Sequence, residues 1–90
     1  MRTLRINADR TIDEIDEDAF EWLGEDVEWD SVELPDGHDL WVRDDGLFEA
    51  DCVAMVAGRP LPLPAFIAGA DGERTVAATM TVERARMLLD

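Results

Sequence analysis

Between Thr11 and Asp39 the chain carries 13 aspartate and glutamate residues and not one lysine or arginine. Carboxylates this dense cannot be buried without partners. Whatever the stretch folds into must therefore keep its acids on the surface and turn its apolar residues the other way. The charge is also confined. Residues 1–51 hold 18 acids against Arg2, Arg5, Arg10 and Arg43, whereas residues 52–90 hold four acids and four arginines, so the net charge of −14 belongs entirely to the first stretch. A salt-adapted protein would be acidic throughout, and the neutral second stretch argues against that origin. Two readings stand: a solubilising surface, or an acidic face used on a partner.

The length of 90 residues suits a single domain, 1–90, acidic over residues 1–51 and charge-neutral over residues 52–90. Disordered acidic tails lack side chains to bury, but this chain is 47% hydrophobic and includes Trp22, Trp29, Trp41, Phe20, Phe48 and Phe66. A folded globule follows. Cys52 is alone, which excludes an intrachain disulfide and favours a reducing compartment, and with His38 it is too small a set for a zinc site. Asn7, Asp9 and Arg10 stand where a signal peptide needs an apolar run, and no apolar stretch nears the roughly 20 residues of a membrane span. A soluble, cytoplasmic protein is expected.

Turn residues punctuate the chain. Arg2 to Ile6 alternates polar and apolar residues, Asn7-Ala8-Asp9 turns, and Thr11 to Ile15 returns, which predicts an opening hairpin. Asp16 can cap a short helix that ends near Gly24, with Ala19, Phe20, Trp22 and Leu23 on one side and Glu17, Asp18, Glu21 and Glu25 on the other. Val27 to Leu34 reads as a strand whose apolar phase slips at Asp30-Ser31, predicting a bulge. Pro35-Asp36-Gly37 then turns into a partner strand, Leu40 to Arg43.

Cys52 to Ala57 is apolar throughout and fits a buried helix or a buried strand, the alanines tipping the reading to helix. Pro60, Pro62 and Pro64 predict an extended connector, although the same run resembles a polyproline ligand. Ala65 to Ala68 and Thr75 to Met80 flank the Asp71-Gly72 turn as a further hairpin. Thr81 can cap a last helix with Val82, Ala85, Leu88 and Leu89 as its apolar stripe and Met87 off it. The expected fold class is α+β: a small single domain of β-hairpins with about three short helices.

Nothing in the pattern marks a catalytic pair. General acid–base work needs one carboxyl in a pocket that raises its pKa beside another that stays ionised, and no spacing singles one out. Cys52 opens an apolar run that implies an inert core thiol, and His38, beside Gly37, reads as a solvated turn histidine. The acidic runs at Asp13 to Asp18 and Asp44-Asp45-Gly46 do not keep the ligand register of a calcium loop. There is no phosphate-binding glycine loop, and an acidic surface repels nucleic acid. No enzyme activity, cofactor or metal is therefore expected, and no direct contact with nucleic acid or membrane.

The order Leu34-Pro35-Asp36-Gly37, Leu40-Trp41-Val42, Asp44-Asp45-Gly46-Leu47, Gly58-Arg59-Pro60, Phe66-Ile67-Ala68-Gly69-Ala70-Asp71-Gly72-Glu73 and a terminal helix resembles a family of short bacteriophage and mobile-element proteins known only as a domain of unknown function. The resemblance implies a phage or prophage origin and an accessory role in the host cytoplasm. It carries over no catalytic residue.

The resulting expectation is a non-enzymatic acidic accessory protein that binds a host or phage protein with a basic surface. Its candidate partner-binding residues are Glu17, Asp18, Glu21, Glu25, Glu28, Asp30 and Glu33. Such a face would steer the partner and speed its association. The alternatives are a DNA mimic whose carboxylates imitate phosphates to inhibit a nucleic-acid-binding protein, a structural or assembly subunit, and a carboxylate-dependent enzyme.

Overall fold

The computed structural model describes residues 1–16, 29–34, 37–43, 53–72 and 74–89. In chain order these form β1 (Thr3–Ile6), β2 (Ile12–Ile15), β3 (Trp29–Glu33), β4 (His38–Arg43), β5 (Val53–Val56), β6 (Arg59–Pro62), β7 (Ala65–Asp71), β8 (Arg74–Val76) and the helix α1 (Val82–Arg86). Among the described residues strand outweighs helix by 58% to 8% and there is one short helix, so the expected α+β domain with about three helices is corrected to a mostly β fold. The helix expected after Asp16 lies outside the described residues.

The helix expected over Cys52 to Ala57 is strand β5. Its burial alternates, with Ala54 and Val56 inside and Val53 and Met55 outside, and β-branched Val53 and Val56 suit that geometry. Pairing overrides the helix propensity of its alanines. Ala57 and Gly58 both take positive φ, 51° and 80°, and close a two-residue turn between Val56 and its partner Arg59. That turn sets the hydrogen-bonding phase. Arg59 and Leu61 exchange bonds with Val56 and Ala54, whereas Pro60 and Pro62 fall where β6 needs no donor toward β5. Pro60 and Pro62 of the expected connector are thus in a strand, and Pro64 follows in the bend between β6 and β7.

The last helix is shorter than its apolar stripe. Thr81 Oγ1 accepts from the Arg84 amide at 3.1 Å as the N-cap. Beyond Arg86 the chain tightens, with Leu88 N–H donating to Ala85 O and Leu89 N–H to Arg86 O, before Leu89 bridges to Val56.

The main sheet is antiparallel in the order β2-β1-β7-β4-β3, so the long β7 runs through its centre. On its β1 side, β7 pairs with β1 through Ala65 to Ile67 and with β8 from Gly69 onward. Gly69 is required by close approach, because a Cβ there would lie 2.5 Å from the Ala77 carbonyl oxygen where the chain leaves β8.

One face of the sheet presents Leu4, Ile6, Leu40, Val42, Ala65 and Ile67. The β5–β6 hairpin covers it with Ala54, Val56 and Leu61, and the C-terminal segment adds Met80 and Ala85. Removing a side chain such as Leu4 or Ile67 from water contributes about 1.5–3 kcal/mol. On the other face Thr3, Phe66 and Ala68 are fully buried, and Trp29 meets Phe66 edge-on with centroids 6.3 Å apart.

The segment between β8 and α1 is held from both sides. The Arg2 guanidinium donates to the carbonyls of Ala78 (2.9 Å) and Met80 (2.7 Å). His38 Nε2 accepts from the amides of Thr79 (3.1 Å) and Met80 (3.2 Å). His38 is therefore not a solvated turn residue. It is the first residue of β4, 5% exposed, and it uses a ring lone pair to satisfy amides that no strand pairs.

Candidate functional site

The acids of the β1–β2 hairpin are engaged within the fold. Register sets Arg5 opposite Asp13, and the Arg5 guanidinium reaches the Asp13 carboxylate at 3.0 Å. Asp13 also accepts from the Asn7 side-chain amide at 2.9 Å. The Asn7 bond first, and then the Arg5 bond, hold the Asp13 carboxyl below the usual carboxylate range. Asp9 is lowered chiefly by the Thr11 hydroxyl, which donates to it at 2.6 Å, and Asp16 by the Met1 amino group at 2.9 Å. Arg2 pairs with Glu14. Every acid of this hairpin has a donor beside it.

The other end of the sheet differs. Asp30 and Glu33 sit on β3, which pairs with β4 in one unbroken register from Trp29↔Arg43 to Glu33↔Asp39. The predicted bulge at Asp30-Ser31 is absent, because five consecutive residues each find one partner. Strand alternation then puts Asp30 on the side of Val32 and Leu34, and Glu33 on the side of Trp29 and Ser31. Both acids are exposed. The two are thus on opposite faces of the edge rather than in one row. Asp39, which the sequence did not single out, stands directly across from Glu33 at a cross-strand Cβ distance of about 4.5–5.5 Å. Among the described residues no cation pairs with Asp30, Glu33 or Asp39. Glu17, Asp18, Glu21, Glu25 and Glu28 lie outside the described residues.

The backbone of β3 carries a further feature. The Leu34 amide donates to the His38 carbonyl at 2.8 Å, which makes Glu33↔Asp39 a non-hydrogen-bonded pair. The ladder to β4 is consequently made by Asp30, Val32 and Leu34. The N–H and C=O groups of Trp29, Ser31 and Glu33 face away from β4. Among the described residues no strand lies on that side of β3. The opposite edge, β2, has α1 packed beside it. Only the hairpin register reveals this phase, so no single residue type could have signalled it.

No family model matches the chain, and no match is found among curated proteins or solved structures. The described residues include no group of three or more His, Cys, Asp or Glu side chains placed to hold a metal, and no helix long and apolar enough to cross a membrane. Of the described residues behind the phage-protein resemblance, Leu34 and Ile67 are buried, and Gly69 makes the close approach to the chain leaving β8.

Proposed function

We propose that this protein is a non-enzymatic accessory protein that binds a partner bearing a basic surface, and that β3 with its facing residue Asp39 is the described portion of the contact. The observation that carries this reading is the contrast in neutralisation. Arg2 and Arg5 are engaged by the hairpin acids, whereas among the described residues no cation pairs with Asp30, Glu33 or Asp39, whose carboxylates project a negative field. Fields of this kind raise the rate at which oppositely charged partners meet and are screened over about 8–10 Å at ordinary salt. An accessory role in a phage-infected host, implied by the sequence resemblance, is compatible with such work.

The test is affinity capture from a host lysate at low and high salt, with the wild type and an Asp30→Asn/Glu33→Gln variant side by side. Proteins retained by the wild type at low salt should be lost at high salt and from the variant. Equal retention by both would sink the reading. Adding duplex DNA to the same capture separates a DNA mimic from other binders, since a mimic's target would be displaced.

A further inference from the structure

We infer that β3 takes its partner as an added strand: an extended segment with basic side chains that hydrogen-bonds to the outward backbone groups of Trp29, Ser31 and Glu33. This rests on the acidic-edge reading and specifies the geometry of contact. A strand with unpaired N–H and C=O groups is a template for another chain. Two of the other described edges are less open. β6 carries Pro60 and Pro62 at the backbone positions facing away from β5, and β2 lies against α1. β3 has neither proline nor a covering element among the described residues.

Charge selects the occupant. A second copy of this chain would bring its own Asp30 and Glu33 against these, and like charges directly opposite are unfavourable. Each copy also carries a net charge of −14. A basic segment meets the reverse situation. Because Asp30 and Glu33 lie on opposite faces of the edge, side chains on both faces of the incoming strand find a carboxylate. The same acids that discourage self-pairing therefore favour a basic strand.

The probe is a capped hexapeptide of the order Arg-Arg-Val-Val-Arg-Arg, which carries arginine on both faces when extended, compared with a twin whose backbone nitrogens are all methylated, which keeps the charge but cannot donate. Binding is followed by amide NMR on the whole chain at low salt. The unmethylated peptide should bind and protect the Ser31 and Glu33 amides from exchange. Methylation, and separately Ser31→Pro, should each weaken binding by about tenfold or more. The Ser31 N–H faces away from β4, so proline there leaves the β3–β4 ladder intact. Should Ser31→Pro fail to fold, the methylated twin decides alone. If both peptides bind equally, with a salt-sensitive affinity and no protection of Ser31, strand addition is wrong while the electrostatic reading survives. If neither peptide binds at low salt, both fall.

Discussion

The two edges of the main sheet carry similar residues and use them differently. At β2 the acids Asp13 and Glu14 meet Arg5 on the neighbouring strand and Arg2 just before it, and α1 packs alongside. At β3 Glu33 meets Asp39 and Asp30 stands across from Val42, neither acid has a described cation beside it, and the outward backbone groups have no described strand beside them. The difference follows from strand order. β1, with the arginines in and before it, sits next to β2, while β3 is three strands further along. Net charge alone would have made both edges acidic. Register shows that one is compensated and structural, whereas the other, among the described residues, has neither a cation nor a strand beside it.

The largest effects should come from breaking the closed side. His38→Ala strips the acceptor from the amides of Thr79 and Met80 and leaves a cavity, and should lower the unfolding free energy by about 3 kcal/mol in urea denaturation. Arg2→Ala removes the donors to Ala78 O and Met80 O and the partner of Glu14, and should cost about 2 kcal/mol by the same measurement. If either variant unfolded like the wild type, the segment between β8 and α1 would be held by something other than these side chains.

Acid should weaken the closed side next. The carboxyls of Asp9, Asp13 and Asp16 are lowered in the fold, so the native state favours their ionised forms. Their contribution is complete above the unfolded value of about 3.9 and is lost as pH falls through the lower folded values. The midpoint of thermal unfolding should therefore drop as pH falls below about 4, and Asp13→Asn should flatten that drop. An unchanged profile in Asp13→Asn would show that its bonds to Asn7 and Arg5 do not favour the charged form.

The smallest stability change is expected at the open side. Asp30→Asn with Glu33→Gln should shift the unfolding free energy by no more than about 0.5 kcal/mol, in the stabilising direction, because it relieves repulsion between Glu33 and Asp39. A marked loss of stability would mean that these acids have fold-supporting partners, and the contrast between the edges would disappear.

Much of this fold was legible as local pattern. The turns at Asn7-Ala8-Asp9 and Asp71-Gly72 lie between paired strands, and Thr81 caps the last helix. What failed depended on distant partners. The apolar Cys52 to Ala57 run fitted helix and strand alike until β6 supplied a partner, and Pro60 and Pro62 are tolerated in β6 only because of the phase set by the turn at Ala57-Gly58. His38 looked like a turn residue because the amides it serves lie 41 and 42 positions away. At the candidate site the residue types were readable, and Asp30 and Glu33 are exposed as their chemistry requires. Their placement on opposite faces, the opposing Asp39 and the open backbone edge were not, since each depends on pairing between β3 and β4.

The most direct test of the contrast between edges is a residue-resolved NMR titration of the whole chain with a short arginine-rich peptide at low salt. The shifts should gather on Trp29 to Glu33 and on Asp39, and fade as salt is added. Shifts centred on Asp13, Glu14 and the rest of the β1–β2 hairpin, or spread evenly over all the acids, would contradict it.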